Sequence, residues 1–191
     1  MAHARAAGVP VPEVFDVSGT DIVMERVTGP TMLEWLGRRP WMAGAQARLL
    51  ARLHELVHQV PASGLPATVR PLPFGPPPPL ESSVLLHRDL HPQNVLLTAD
   101  GPVIIDWEGA AYGPAAADVA MTWVVMGFSD VPAMPRAKAL LVRSLQAWFT
   151  RAFVRAAGPF DADLREAVVR ARLADHHLLP AEAARLTKLL S

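Results

Sequence analysis

The sequence predicts an α+β fold that is mainly helical, with short β-hairpins ahead of and between its helices. Three observations predict it. Apolar residues recur at helical spacing from about residue 42 and over most of the chain beyond 115. Two pairs of short apolar runs are joined by turn residues, Ser18-Gly19-Thr20 in one pair and Asp100-Gly101 in the other. No internal repeat is present, which sets solenoids and propellers aside.

The elements follow in order. Residues 2–7 read as the tail of a helix stopped by Gly8, Pro10 and Pro12. Strands are expected at 13–17 and 21–27. Thr31 and Glu34 have the spacing of a capping box and open a helix over 32–38. A longer helix over 42–60 carries Leu49, Leu50, Leu53, Leu56, Val57 and Val60 at helical spacing. Many of the nineteen prolines cluster at 61–79, including the run 76–79, and read as a surface connection. Strands at 84–86, 94–97 and 103–105 come next, the last two forming a hairpin. Helices are expected at 116–127, 135–156, 162–178 and 181–190, with Trp123, Trp148, Phe149 and Phe153 packing between them. Asp118 is placed to cap the first of these.

Bulk properties narrow the function. At 191 residues the chain is one domain or one large lobe. Its net charge of zero argues against a nucleic-acid partner. The absence of cysteine excludes disulfides and thiolate metal sites. The first ten residues lack a signal-peptide apolar run, and the most apolar stretch, 115–128, is broken by Asp118 and too short to span a bilayer. A cytoplasmic protein without a membrane partner is the expectation.

The chemistry-bearing segment is His87-Arg88-Asp89-Leu90-His91-Pro92-Gln93-Asn94, followed by Ile104-Ile105-Asp106-Trp107-Glu108. Asp89 lies in a loop that Pro92 stiffens. Asn94 begins one strand of the hairpin and Asp106 ends the other, so strand pairing brings them together. A carboxylate and an amide oxygen there suit Mg²⁺, and Asp89 stands ready to accept a hydroxyl proton. Those are the parts phosphoryl transfer needs. Asp89, Asn94 and Asp106 taken singly read as turn residues; together with His87, Pro92 and Trp107 they form a pattern.

That pattern resembles the kinase catalytic loop H-R-D-x-x-x-x-N with Asp106 in the place of the D-F-G aspartate. His91 stands where protein kinases carry lysine, and only twelve residues separate Asp106 from Asp118, leaving no activation segment. The set H-x-D-x-H-P-x-N, I-D-W-E and a D-x-A helix start resembles aminoglycoside phosphotransferases and choline-kinase-like enzymes. The stretches Gly8-Val9-Pro10-Val11-Pro12 and Met24-Glu25-Arg26-Val27-Thr28-Gly29 look like that family's lead-in and hinge. The resemblance implies a protein-kinase-like C-terminal lobe over 30–191, preceded by a remnant of the N-terminal lobe over 1–29. It implies ATP as co-substrate, Mg²⁺ and a small-molecule hydroxyl substrate. It makes Asp89 the base and Asn94 and Asp106 the metal ligands. It brings the backbone of Glu25, Arg26 and Val27, with Leu96 and Ile105, to the adenine. His87 and Asp118 support the loop.

The same resemblance calls for a glycine-rich flap and a strand lysine ahead of the hinge. The chain has two lysines, Lys138 and Lys188, both in the C-terminal helices. A truncated chain, inactive by itself, is therefore expected; a mis-set start, a lobe from another chain and a retained non-catalytic role are the competing explanations. The exposed edges of the first hairpin are expected to drive self-association.

An alternative from another class is His54-Glu55-Leu56-Val57-His58, which matches the zinc-peptidase spacing H-E-x-x-H. No third ligand at a helical spacing follows, and the first histidine belongs to a Leu53-His54 pair common in the resembling family. His176 and His177 are adjacent and poor co-ligands. Asp161, Asp163, Glu166 and Asp175 could meet a cationic substrate or form a solvated face.

Overall fold

The computed structural model describes residues 1–75, 78–129, 134–175 and 178–190. In chain order come α1 (Ala2–Ala6), β1 (Val14–Ser18), β2 (Asp21–Met24), α2 (Met32–Arg38), α3 (Ala43–His58), β3 (Arg70–Pro71) and β4 (Val84–Leu86). Next are β5 (Val95–Thr98), β6 (Gly101–Ile104), β7 (Ala111–Gly113), α4 (Ala115–Phe128), α5 (Arg136–Ala157), α6 (Ala162–Leu173) and α7 (Pro180–Thr187). This is the expected mainly helical α+β architecture. The capping box opens α2: Thr31 Oγ1 accepts the Glu34 N–H at 3.1 Å, and Glu34 Oε2 accepts the Thr31 N–H at 2.9 Å.

The main core lies between α3, α5 and the β5–β6 hairpin. Leu50, Leu53 and Val57 of α3 are buried with Phe149 and Phe153 of α5 and with Leu90, Val95, Ile104 and Trp107. Phe153 is fully buried, and truncating such a ring to alanine costs about 3–5 kcal/mol. Ala4, Val9 and Val11 share that core, and the Ile104 N–H donates to Pro10 O at 2.7 Å. The first twelve residues thus pack with the helical body, on the far side of the expected 29/30 boundary, and only the β1–β2 hairpin stands apart.

Three small sheets form among the described residues: β1–β2, β3–β7–β4 and β5–β6. The middle one was not foreseen. β3 arises within the proline-rich connection and pairs parallel with β7, while β4 pairs antiparallel with the other edge of β7. Two- and three-residue strands held by distant partners leave no periodicity to read. Other boundaries also differ. β2 ends at Met24, so residues 25–27 lie outside the sheet. α6 ends at Leu173, not 178, where Arg172 turns to pair with Asp175 and Glu182. Trp148 is half-exposed, its ring lying over Gly44 of α3, and is not internal packing. Pro76 and Pro77 of the proline run, and His176 and His177, lie outside the described residues. No described helix is long and apolar enough to cross a membrane.

Candidate active site

The loop between β4 and β5 is held by side chains of α4 and by the segment that follows β6. Asp118, in the first turn of α4, is fully buried. It does not cap its own helix, which begins after Pro114 without a side-chain cap. Its carboxylate instead accepts the His87 N–H at 3.1 Å, the Arg88 N–H at 2.6 Å and His58 Nε2–H of α3 at 3.1 Å. Burial alone would raise its pKa, but the His58 hydrogen bond and the neighbouring imidazoles hold it far below the usual carboxylate range. Two backbone amide donors act in the same direction. This anchoring allows Arg88 to adopt a left-handed φ of 71°, a conformation that costs a non-glycine residue about 1–2 kcal/mol. Arg88 Nη1 also donates to Gly109 O at 3.1 Å.

His87 ties the loop to the end of the β5–β6 hairpin. Its Nε2 donates to Ile105 O at 3.0 Å and its Nδ1 accepts the Asp89 N–H at 3.3 Å. That pattern is the neutral tautomer, and burial lowers the pKa of the ring accordingly. Trp107 packs against it with ring centroids 4.6 Å apart, its indole N–H donating to Ile104 O at 3.1 Å. The next carbonyl along the loop is held as well: Thr122 of α4 donates to Leu90 O at 2.9 Å.

Pairing of Val95 with Ile104 continues as the Ile105 N–H donates to Asn94 O at 3.0 Å, so residues 94 and 105 sit side by side. Asn94 donates through Nδ2 to Asp89 O at 2.8 Å and to Asp89 Oδ2 at 3.1 Å. With both amide protons committed, its Oδ1 is the atom left for a cation. Asp106 follows Ile105, is exposed, and has a left-handed φ of 63°. Two strained non-glycine residues, Arg88 and Asp106, thus flank this cluster, as backbone strain often does at functional sites.

Asp89 is half-exposed and has a partner overlooked in the sequence, His91 Nε2 at 3.4 Å from Oδ1. His91 Nδ1 accepts the Gln93 N–H at 3.2 Å, which leaves Nε2–H to face Asp89. Burial would raise the Asp89 pKa, but the bonds from His91 and Asn94 and the nearby imidazoles outweigh it and lower it. Asp89 is therefore ionised at neutral pH, suited to accept a hydrogen bond from a hydroxyl and to orient it.

The hinge-like segment reaches β5. The Leu97 N–H donates to Pro30 O at 2.9 Å, and Thr31 bridges Leu96. Gly29 lies so close that a Cβ there would sit 2.5 Å from Leu97 O. Glu25 is paired with Glu13, its N–H donating to Glu13 O at 2.7 Å and its Oε2 accepting the Glu13 N–H at 3.1 Å. Arg26 is exposed, and Val27, Leu96 and Ile105 are partly buried. No distance joins residues 25–27 to Asp89 or Asp106.

The H-E-x-x-H pair is structural. His54 is buried, with Nδ1 2.9 Å from Leu50 O and Nε2 3.0 Å from Thr122 Oγ1. Its pKa falls to about 4, mainly by burial. His58 is turned to Asp118. Among the described residues no group of three or more His, Asp or Glu could hold a metal, so the zinc alternative lacks a site. Of the late acids, Asp161 caps α6, Glu166 pairs with Arg170 and Asp175 with Arg172.

Residues 65–177, more than half the chain, match the family described as the phosphotransferase enzyme family, APH. The chain belongs to that family. No curated protein matches this phosphotransferase. Its fold is shared with a choline/ethanolamine kinase family protein from Mesorhizobium loti, 18% identical with a TM-score of 0.57, covering 99% of this chain and 77% of the other. It is also similar to an aminoglycoside-3'-phosphotransferase of type VIII, 17% identical, TM-score 0.55, covering 87% and 74%. An amicoumacin kinase in complex with AMP-PNP, Ca²⁺ and Ami is similar at 15% identity, TM-score 0.51, covering 98% and 73%.

Proposed function

We propose that this phosphotransferase transfers the terminal phosphoryl group of ATP to a hydroxyl of a small molecule, with Asn94 and Asp106 holding Mg²⁺ and Asp89 orienting the hydroxyl. The observation that carries the reading is the Asn94 amide. Both of its protons go to Asp89, which leaves one amide oxygen and the exposed Asp106 carboxylate at the hairpin mouth. That hard-oxygen pair fits Mg²⁺, which usually keeps several waters beside one or two carboxylates. Mg²⁺ bound there would neutralise charge on the phosphates.

The chain's own groups do the rest. Asp89, ionised, accepts the hydrogen bond of the acceptor hydroxyl and takes its proton as the new P–O bond forms and ADP departs. His91, Asn94 and His87 fix Asp89 in place, so the loss of freedom is met in folding and not at the moment of reaction. The backbone of Glu25, Arg26 and Val27 would meet the adenine edge, with Leu96 and Ile105 beneath it. The likeness to a structure holding AMP-PNP and Ca²⁺ supports nucleotide and divalent-metal use.

Both lysines follow the catalytic loop in sequence. Weak nucleotide affinity and slow turnover by these residues alone are part of the proposal, since a preorganised donor at developing charge is worth about 10²–10³ in rate.

The test is ATP consumption with aminoglycosides and choline as acceptors, alongside calorimetric Mg²⁺–ATP binding. Asp89→Asn is expected to lower turnover by about 10²–10⁴ while leaving nucleotide binding intact. Asp106→Asn is expected to abolish the Mg²⁺ dependence of binding. Unchanged turnover and metal dependence in both variants would defeat the reading.

A further inference from the structure

Between α3 and the C-terminal end of α5 lies a cleft of about 560 Å³ that phosphoryl transfer does not use. One wall is a single face of α3, bearing Arg48, Arg52, Glu55 and Gln59, with His58 at the inner end. The opposite wall is Ala156 and Ala157, whose small side chains leave the space open. Arg48 and Arg52 are exposed and one helical turn apart, and among the described residues neither has an ion pair or hydrogen bond. Residues so spaced are neighbours on one helix face.

His58 also lines the cleft. Its Nε2 is spent on Asp118 at 3.1 Å, and its side chain retains 12% exposure. Nδ1 has no partner among the described residues. Asp118, being a carboxylate, requires the proton on Nε2, which leaves Nδ1 as a lone-pair acceptor.

We infer that this cleft binds a phosphate group, carried by inorganic phosphate or by a small phosphate monoester, between the guanidinium groups of Arg48 and Arg52. Guanidinium forks match phosphate oxygens two at a time. The volume exceeds what a phosphate ion fills, leaving room for an organic remainder along the alanine wall. Glu55 opposes an anion and sets the affinity below what two arginines alone would give. The site is separate from the Asp89 centre and does not rest on the assignment of that centre. His58 and Asp118 connect it to the backbone N–H groups of His87 and Arg88 through hydrogen bonds.

The experiment is calorimetric titration of the full chain with inorganic phosphate and, separately, with glycerol 3-phosphate. Saturable binding at one site per chain is expected. Arg48→Ala and Arg52→Ala should each weaken it about tenfold, as loss of a charge-assisted hydrogen bond does. Glu55→Gln should tighten it about threefold. Asp106→Asn should leave it unchanged. Binding of both ligands would mean that phosphate alone suffices; binding of the ester only would assign contacts to the organic part as well. Absence of saturable binding, indifference to both arginine substitutions in variants with wild-type circular dichroism, or loss of binding in Asp106→Asn would overturn the inference.

Discussion

The loop between β4 and β5 and the β1–β2 hairpin make opposite use of burial. In the loop, buried polar groups are mostly bonded, Arg88 Nε excepted: Asp118 is fully buried and accepts from three donors, and His87 bridges Asp89 to Ile105. In the hairpin, apolar groups are outside: Phe15 is 63% exposed, Val17 60% and Val23 56%. The loop's conformation is set by Asp118 of α4, itself held by His58 of α3, so left-handed Arg88 persists there. The hairpin pairs only with itself through the turn at Ser18 and Asp21, and a two-stranded ribbon alone is marginally stable. Rigidity here follows from non-local polar bonds, not from hydrophobicity of the segment.

The sharpest way to break that contrast is to remove the loop's anchor. Asp118→Ala strands the N–H groups of His87 and Arg88 and the His58 ring, and is expected to cost about 3–5 kcal/mol in urea unfolding. Equal stability of variant and wild type would mean the loop is held by something else.

Acid titration sharpens it next. The pKa of buried His54 is about 4 against an ordinary 6.5. Below 6.5 the unfolded chain takes a proton that the folded chain refuses, so stability falls as pH drops from 6.5 to 4, by about 3 kcal/mol in all. Asp118, whose pKa is depressed, contributes stability above the ordinary carboxylate range and loses it only in strong acid. Thermal melts of His54→Gln should show a flatter decline between pH 6.5 and 4 than the wild type; an identical slope would assign the acid sensitivity to another group.

The smallest effect is expected at the hairpin. Its exposed apolar side chains and free edges should give concentration-dependent self-association in size-exclusion chromatography. Val17→Thr with Val23→Thr should reduce that association while shifting stability by less than about 0.5 kcal/mol. A monomer at every concentration in the wild type would remove this side of the comparison.

Much of this was readable in the residues themselves. Short-range rules set the capping box of α2, the Asp100-Gly101 hairpin and the helices after 115, because each depends on neighbours within a few positions. The family was legible too, since His87, Asp89, Asn94 and Asp106 keep their spacing along one continuous stretch. What escaped was non-local. β3 and β7 are too short to carry a period. Asp118 at the start of a helix has the spacing of a cap, and its support of the loop thirty residues earlier came only from the family resemblance, not from its neighbours in sequence. The zinc-like histidines already lacked a third ligand in the sequence, and Leu50, Thr122 and Asp118 are the partners that occupy them.

The sequence by itself determined the elements, the order of the polar residues and the family, because local geometry and linear spacing need no knowledge of distant contacts. Only the tertiary structure decided which ring nitrogen of His87 keeps its proton, how Arg88 comes to hold a left-handed backbone, and that two arginines without an ion pair among the described residues overlook an alanine-walled cleft. Those outcomes depend on which groups folding brings within hydrogen-bond reach while excluding water, and chain order does not encode that reach.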